Sequence, residues 1–444
     1  MAATPKTVRL NNGKQAELFT YNGQVPGPTI DAVEGQRVTV HFTNNLPEAT
    51  TIHWHGLPVP PDQDGGPEDL VPPGGRRDYT FDVPVGSAGT YWYHPHPMDL
   101  TAGQVAKGLA GAFRVRAGAD PVPSTFRDTL VMLSDLRLTA DGRVSPGTQA
   151  DKMNGREGDL VLVNGQVMPT LSWNPGEGRR LRVINASAAR YYRLALPNHT
   201  LHQIGTDGGL FAKPVAQTEL LLAPGERAEM LVQATGTAGT QSVLQALSYD
   251  RGVHVMPMGS STPMSSAAPM DHSMHGMSMG TQASDGGGGG LPLMRWQYGM
   301  AAPAPMASIP ALLRAVTPIA TAGATPHAVV FTENMMTLDF RINGQKYQAG
   351  RADFVSKLGV PEIWQVENRG DMDHPFHLHG TQFQILDRNG VAEPFVAWKD
   401  TVNLRKGDVT RLAVQFDRYP GLRPFHCHIL EHEDLGMMGL VRVE

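Results

Sequence analysis

The chain has 444 residues, with 37 Lys and Arg against 42 Asp and Glu, a net charge of −5 and a pI near 6.4. This length corresponds to about two to four domains. The acidic balance disfavours a nucleic-acid binder, which needs an excess of basic side chains to contact phosphates, and no apolar run approaches the roughly 18 residues of a membrane-spanning helix. Charged residues make up 18% and hydrophobic residues 41%, as in globular proteins. The 49 Gly and 35 Pro favour a turn-rich β architecture.

Three copies of one pattern follow along the chain. Each copy has an Asn-Gly-Gln turn, an alternating strand that ends in Asn, and later a Gly that begins another strand. The turns begin at Asn22, Asn164 and Asn343, the strands end at Asn44, Asn185 and Asn368, and the later glycines are Gly89, Gly239 and Gly421. Short strands between turn signals indicate β-sandwiches. We therefore predict three sandwich domains in tandem, at 1–118, 119–299 and 326–444, with a Pro/Ala-rich linker at 300–325.

A methionine-rich segment interrupts the second copy before its last predicted strand, 291–299. Residues 255–280 contain seven Met and two His among Ser, Gly and Pro, and five consecutive Gly follow at 286–290. This composition predicts a mobile surface loop over about 255–290. Because thioethers are soft ligands that select Cu(I), the loop is predicted to handle cuprous ions. The alternative is a low-complexity loop in which methionine only fills apolar contacts.

His-x-His pairs occur at matched positions of the first and third copies. The pairs are His53/His55, His94/His96, His377/His379 and His426/His428, and the second copy has Leu194/Leu196 and Leu244/Ala246 in their place. Residues i and i+2 of a strand face the same side, so all eight imidazoles can converge if the first and third domains face each other. A single pair can be a surface or core pair, but four matched pairs predict a multinuclear metal centre at that interface.

The only cysteine, Cys427, lies between His426 and His428, which excludes an intrachain disulfide and makes the thiol face away from the paired histidines. His432 and Met437 follow it, and His374 lies three residues before His377. Two His, one Cys thiolate and a weak axial Met describe a blue-copper electron-transfer site, whereas a buried cysteine without ligands is a small hydrophobe. If Cys427 binds copper, its peptide neighbours connect that ion covalently to the inner cluster.

The segments HWHG (53–56), HPH (94–96), HPFHLHG (374–380) and HCHILEHEDLGMM (426–438) resemble the four copper-binding motifs of the multicopper oxidases. The likeness covers essentially the whole chain and is greatest to bacterial three-domain laccases and copper-efflux oxidases, particularly thermophile laccase-like enzymes with a Met-rich loop. It implies an all-β fold of three tandem cupredoxin-like Greek-key sandwiches and four copper ions. It also implies one-electron oxidation of substrate at a type 1 copper, coupled to four-electron reduction of O2 to water at a trinuclear cluster.

The same resemblance implies the role of each ligand. The type 1 copper would be bound by His374, Cys427 and His432 with Met437 as axial ligand, the type 2 copper by His53 and His377, and the type 3 pair by His55, His94, His96, His379, His426 and His428.

Two carboxylates also match the family's pattern. Asp64 resembles its acidic residue near the type 2 copper, and Glu433 resembles the one on the type 3 side. Reduction of O2 needs protons, which positioned carboxylates supply as general acids. The alternative is a solvated loop carboxylate or a turn former. The resemblance further implies an extracytoplasmic protein, periplasmic or secreted, although the first residues show no signal-peptide pattern. We expect a monomer.

Both Cu(I) and phenolic or aromatic-amine compounds are candidate electron donors. Met335, Met336, Asp371 and Met372 resemble the substrate-copper region of the efflux oxidases, but the run before His374 is one residue shorter. The Met-rich insert also precedes the third domain, whereas in those enzymes it lies within it. A copper-sequestering protein without significant turnover remains an alternative function. A copper nitrite reductase shares the sandwich and a type 1 site but lacks the full set of His-x-His pairs.

Overall fold

The structure is a computed structural model that describes residues 1–253 and 290–444. Thirty β-strands and three short α-helices account for the regular structure in these ranges, so the predicted all-β class is confirmed. No helix in the described ranges is both long enough and apolar enough to cross a membrane. The predicted Met-rich loop lies, apart from its last glycine, outside the described residues.

The first sandwich contains two four-stranded sheets, ordered β2-β1-β4-β6 and β3-β8-β7-β5. Its strands are β1 (Ala2–Arg9), β2 (Gln15–Tyr21), β3 (Gly27–Val33), β4 (Arg37–Asn44), β5 (His53–His55), β6 (Arg76–Asp82), β7 (Gly89–His94) and β8 (Gly111–Arg116). A 3-10 turn (Pro61–Gln63) follows β5, and helix α1 (Thr101–Ala106) follows β7. Alternation places side chains such as Phe42 and Trp54 in the core that the two sheets share.

The middle sandwich contains a six-stranded sheet, β10-β9-β12-β17-β14-β15, and a five-stranded sheet, β11-β19-β18-β13-β16. Its strands are β9 (Phe126–Leu136), β10 (Leu160–Val163), β11 (Thr170–Trp173), β12 (Gly178–Asn185), β13 (Tyr192–Ala195), β14 (Leu201–Thr206), β15 (Gly209–Gln217), β16 (Glu219–Leu222), β17 (Arg227–Gln233), β18 (Gln241–Leu247) and β19 (Leu291–Tyr298). Helix α2 (Gln149–Asn154) follows β9 and begins with a capping box between Thr148 and Asp151.

The third sandwich repeats this arrangement, with sheets ordered β21-β20-β23-β28-β25-β26 and β22-β30-β29-β24-β27. Its strands are β20 (Thr325–Asn334), β21 (Asp339–Ile342), β22 (Phe354–Ser356), β23 (Glu362–Asn368), β24 (His374–Leu378), β25 (Phe383–Arg388), β26 (Val391–Ala392), β27 (Thr401–Leu404), β28 (Val409–Val414), β29 (Gly421–Cys427) and β30 (Met438–Val443). The five-residue helix α3 (Leu430–Asp434) follows β29. Strand by strand, both sheet orders equal those of the middle sandwich, so the sequence repeat is also a repeat of topology.

A buried charge cluster of the middle sandwich contacts the first sandwich through Thr90. The Glu229 carboxylate accepts hydrogen bonds from Arg180 (2.6 Å), Arg182 (2.6 Å) and the Thr90 hydroxyl (2.7 Å). Burial by itself raises the pKa of Glu229, but the two guanidiniums and the hydroxyl outweigh it and lower the pKa to about 2. Glu229 is therefore an ionised side chain that stabilises this interface.

The stability of this interface is expected to depend on pH through Glu229. Its folded-state pKa, about 2, lies below the ordinary value of 4.5, so the stabilisation is complete above pH 4.5 and is lost as the pH falls towards 2. We expect Glu229→Gln to lower the free energy of unfolding at neutral pH, and the difference from wild type to shrink by about 3 kcal/mol on acidification. Urea unfolding of the copper-free protein at several pH values measures this. A difference that does not change with pH would contradict it.

Candidate metal centres

The four His-x-His pairs lie on two pairs of adjacent strands or directly after them. His53 on β5 is opposite His94 on β7, and His377 on β24 is opposite His426 on β29. In the middle sandwich the equivalent strands place Leu194 opposite Ala246. Counting residues from Gly239 predicts Leu244 at that position. The count is two residues short because β18 begins at Gln241, whereas β7 and β29 begin at Gly89 and Gly421. The middle sandwich still has no histidine there.

All eight paired histidines are buried and meet between the first and third sandwiches. Two contacts between ring nitrogens cross this interface: His96 Nε2 to His426 Nε2 (3.2 Å) and His428 Nε2 to His55 Nδ1 (3.3 Å). Two more lie within one sandwich: His379 Nε2 to His426 Nε2 (3.1 Å) and His55 Nδ1 to His94 Nε2 (3.4 Å). The structure thus brings together the eight imidazoles that the repeat alignment selects.

The outer nitrogen of most of these rings faces an oxygen that can only accept a hydrogen bond. Nδ1 faces a backbone carbonyl in four rings: His53 to Asp64 (3.0 Å), His94 to Pro95 (2.9 Å), His377 to Asp400 (2.9 Å) and His426 to Cys427 (2.9 Å). Nδ1 faces a carboxylate in two more: that of His379 hydrogen-bonds to Asp64 (2.9 Å), and that of His96 lies 3.2 Å from Glu433 without hydrogen-bond geometry. Each of these outer nitrogens therefore carries the proton, and the inner Nε2 presents a lone pair.

His55 has the opposite orientation. Its Nε2 lies 3.1 Å from both the Asp400 carboxylate and the Thr401 hydroxyl, so its Nδ1 faces inwards. Inward nitrogens fall into two sets of three, His96/His379/His426 and His55/His94/His428. The Nε2 atoms of His53 and His377 form no hydrogen bond in the described part of the chain.

Neutral imidazoles with converging lone pairs repel one another unless a cation lies between them. Burial, and then the neighbouring histidines, lower the pKa of His55, His94, His377, His379 and His428 well below the usual range. These rings therefore stay unprotonated at neutral pH. The eight inward nitrogens form two sets of three and one pair, which can bind a group of three metal ions. Imidazole is a good ligand for copper.

A second ligand set lies on the other side of β29. The Cys427 sulfur is 3.4 Å from His374 Nδ1 and 3.9 Å from His432 Nδ1, and these two nitrogens are 3.4 Å apart. All three side chains are buried, and Met437 lies buried in the same core. Burial raises the pKa of the Cys427 thiol well above its usual value, so the thiolate requires a bound cation. The donors are those of a blue-copper site.

Helix α3 returns the chain from β29 to this ligand set. It places His432 beside Cys427, and Gly436, with a φ of 100°, allows the sharp turn that follows. The Cys427 N–H then donates to the Met437 carbonyl (3.1 Å), which fixes that residue next to the cysteine. The middle sandwich also contributes, because the carbonyl of Met153 accepts the His432 Nε2–H (3.0 Å).

Comparison with known proteins agrees with this ligand chemistry. Family models described as multicopper oxidase match residues 2–120, 127–253 and 321–444. The multicopper oxidase mco of Staphylococcus epidermidis is 32% identical over 433 residues, covering 95% of this chain and 83% of that protein. This chain belongs to the multicopper oxidase family. The solved multicopper oxidase of Campylobacter jejuni, titled a metallo-oxidase, is 37% identical with a TM-score of 0.85, covering 100% of this chain and 90% of that one. The laccase of Bacillus subtilis is 29% identical over 498 residues, covering 95% of this chain and 89% of that protein.

The oxidase therefore has the cupredoxin-like fold and the chemistry of its family. Its cofactor is a set of four copper ions, one type 1, one type 2 and two type 3. It is a laccase-like oxidoreductase that oxidises a substrate and reduces O2.

The two predicted acids lie on opposite sides of the histidine cluster. Asp64 accepts the Nδ1–H groups of His379 with its carboxylate and of His53 with its carbonyl. Gly65 makes this possible, because an added Cβ would lie 1.8 Å from the Ile52 carbonyl oxygen. Glu433 lies 3.2 Å from His96 Nδ1 and 3.1 Å from His426 Nδ1. Burial raises the pKa of Glu433, whereas the neighbouring His96 and His426 lower it, and the effect of the histidines is the larger.

The four predicted substrate-copper residues occupy different environments. Met372 is fully buried in the core of the third sandwich and Met335 is nearly so, whereas Met336 is 78% exposed. Asp371 lies at the surface, 2.8 Å from Lys406. Their assignment remains a prediction.

Glu333 on β20 was missed by the sequence analysis. Its carboxylate accepts the Nε2–H of His374 at 2.7 Å, and it is almost completely buried. It is the only acid of the described chain that forms a hydrogen bond with a histidine of the Cys427 set. The sequence offers one signal for it: Glu333 lies two residues before Met335, in the hairpin that contains two of the predicted substrate-copper residues.

Proposed function

We propose that the oxidase binds type 1 copper with His374, Cys427, His432 and Met437, and the other three ions with the eight paired histidines. Type 2 copper is assigned to His53 and His377, and the type 3 pair to the two sets of three. The convergence of buried, neutral imidazole lone pairs between the first and third sandwiches carries this proposal. When bound, the copper ions supply one-electron redox chemistry that side chains alone do not provide.

Cys427 and its neighbours form a short covalent path between the two centres. The Cys427 side chain belongs to one ligand set, and the side chains of His426 and His428 belong to the other, because successive residues alternate along β29. The backbone of three consecutive residues thus spans the distance between substrate oxidation and O2 reduction.

We assign the two acids different tasks. Glu433 is assigned to the side of the cluster where it lies beside the Nδ1 atoms of His96 and His426. Asp64 holds His53 and His379 and lines a cavity of about 360 Å³ that Asp62, Glu68 and Asp69 also line. The Oδ1 atom of the Asp64 carboxylate is buried and accepts no hydrogen bond within residues 1–253 and 290–444, so it is free to take up a proton. Asp64 therefore supplies protons from this cavity to the cluster.

Cu(I) is proposed as a substrate, with phenols and aromatic amines as further electron donors. Both histidines of the type 1 set are buried, so a donor meets the side chains that cover them. Glu333 covers His374 and is itself almost completely buried, so it favours an approaching cation through its charge and not through direct contact. The chain also passes into the Met-rich segment here, since the Asp373 N–H donates to the Arg251 carbonyl at 2.8 Å. The similar Campylobacter jejuni enzyme, titled a metallo-oxidase, supports a metal substrate.

Replacing Glu333 tests this role directly. We expect Glu333→Gln to raise the KM for Cu(I) by roughly tenfold, as the loss of one charge-assisted contact does, with a smaller change for a phenol. The type 1 reduction potential should also rise, because the carboxylate on His374 stabilises the more oxidised ion. Steady-state O2 uptake and a redox titration measure both effects. Glu367→Gln is the control, since Glu367 pairs only with Arg369 at the surface. Equal changes with both substrates would contradict a cation-specific role.

The Met-rich segment is tested by its removal. We expect deletion of 255–289 to slow Cu(I) oxidation and to spare or increase phenol turnover, because thioethers are Cu(I) ligands. A variant of unchanged length, with Ser in place of the seven Met and two His, separates composition from length. O2 uptake with each donor is the measurement. If both activities change together, or neither changes, copper handling by this segment is wrong and the laccase function takes its place.

Oxygen consumption distinguishes the oxidase from a copper-sequestering protein. The loaded protein should contain four copper ions per chain, show the blue absorption of a copper thiolate and consume O2 with Cu(I) or a phenol. Copper binding without turnover would favour sequestration.

We further propose that the protein acts outside the cytoplasm and as a monomer. The family resemblance and a toxic Cu(I) substrate support the location. Cell fractionation and light scattering test these two points.

A further inference from the structure

Arg227, the first residue of β17, belongs to the sandwich that provides no copper ligand. It is fully buried, and all five of its N–H groups have acceptors. The acceptors are the Thr90 carbonyl (3.1 Å) for Nε, the Gly225 carbonyl (3.2 Å) and Asp400 Oδ1 (2.6 Å) for Nη1, and the Asp207 carbonyl (3.0 Å) and Asp400 Oδ2 (2.6 Å) for Nη2. One guanidinium thus contacts all three sandwiches.

Asp400, which directly precedes β27, transmits this contact to the histidine cluster. Its carboxylate lies 3.1 Å from His55 Nε2, and its carbonyl accepts the His377 Nδ1–H at 2.9 Å. The Thr401 hydroxyl donates to the same carboxylate oxygen (2.9 Å). Asp400 therefore touches one ligand from each of two proposed copper positions.

We propose that Arg227 is a positioning residue for copper binding: its fork fixes the Asp400 carboxylate, which makes His55 present Nδ1 to the cluster. Among the eight paired histidines, His55 is the ring whose Nε2, and not Nδ1, faces an acidic oxygen, so its orientation depends on Asp400. A carboxylate held at both oxygens by a bidentate guanidinium has one orientation. Without Arg227, Asp400 would be a buried charge lacking its main partner, free to turn away from His55.

The inference rests on the proposed ligand assignment and gives the middle sandwich a task beyond spacing. Outer partners of metal-bound histidines set the tautomer and the ring orientation. Here the outermost partner is Arg227. It belongs to the middle sandwich, where Leu194 and Ala246 occupy the positions that the paired histidines have in the other two.

The first experiment needs no copper. In the copper-free full chain, 15N NMR of labelled histidine reports which ring nitrogen carries the proton, and comparison with a His55→Gln variant identifies the His55 signals. We expect His55 to carry its proton on Nε2 in wild type and to shift towards the Nδ1–H form in Arg227→Gln and Arg227→Lys. A wild-type His55 protonated on Nδ1, or one unaffected by both variants, would overturn the proposal.

The second experiment uses the copper-loaded full chain. Arg227→Gln should keep the blue absorption of the type 1 site but lose copper from the cluster, and Arg227→Lys should not restore it, because lysine lacks the fork. Arg182→Gln is the matched control, since Arg182 is buried at the same interface and bonds to Thr90 and Glu229. Equal copper loss in Arg182→Gln and Arg227→Gln would overturn the proposal in favour of general domain docking. If wild type itself binds no cluster copper, the proposed function fails, while the NMR result still decides the role of Arg227.

Discussion

Replacing Cys427 with serine is expected to abolish the turnover of both Cu(I) and phenols. A serine hydroxyl is neither a soft ligand nor ionised at neutral pH, so the type 1 site would not bind its copper. The side chain that begins the covalent path to His426 and His428 would also be lost. We expect the rate of O2 uptake to fall to the background rate, because without the type 1 ion neither substrate can pass electrons to the cluster. The blue absorption should disappear with it.

The copper bound by the histidine cluster is the internal control for this variant. Cys427 is the only cysteine, so none of the proposed cluster ligands is changed. Cys427→Ser should lose only the type 1 ion, and the copper bound by the eight paired histidines should remain. Loss of all the copper would indicate a folding defect. Retention of the blue absorption or of turnover would mean that Cys427 is not a ligand.

Local strand geometry explains why the sequence predicted the paired histidines. Residues i and i+2 share a face in any strand, so His53/His55 or His426/His428 needs no knowledge of the fold. The repeat added the information that two domains carry the pairs and one does not. It was less accurate for the position opposite Leu194, where the sheet places Ala246, because β18 begins at Gln241 and not at Gly239, from which the residues were counted.

Residues that act through single tertiary contacts could not be found in this way. Glu333 and Asp400 lie far in sequence from the histidines they touch, Arg227 lies far from Asp400, and none of the three is part of a spaced pattern. Their signal is a charged residue that becomes buried, which only the packing of strands reveals. The same limit applies to Met335 and Met336, whose adjacency in sequence places one side chain inside and the other at the surface.

Replacing Asp64 with asparagine is expected to slow O2 reduction while leaving substrate oxidation intact. Asparagine can still accept a hydrogen bond from His379 but cannot supply protons. We expect the O2-dependent step to slow by about 10²–10⁴-fold, the usual contribution of a positioned acid. Stopped-flow spectroscopy separates the two halves of the reaction: bleaching of the blue colour by substrate without O2 should keep its wild-type rate, and return of the colour on mixing with O2 should be slow.

Two measurements distinguish proton supply by Asp64 from ligand positioning by Asp64. One is the effect of replacing a neighbouring acid, and the other is the copper content of Asp64→Asn. Asp62 lines the same cavity, but its carboxylate accepts a hydrogen bond from Gln63 and touches none of the cluster histidines. Asp62→Asn therefore changes the charge of the cavity without changing the contact to the cluster. Equal effects of Asp62→Asn and Asp64→Asn would mean that the charge of the cavity alone matters. Loss of cluster copper in Asp64→Asn would show that Asp64 acts by holding His53 and His379, because an asparagine that only stops proton supply leaves every ligand nitrogen in place.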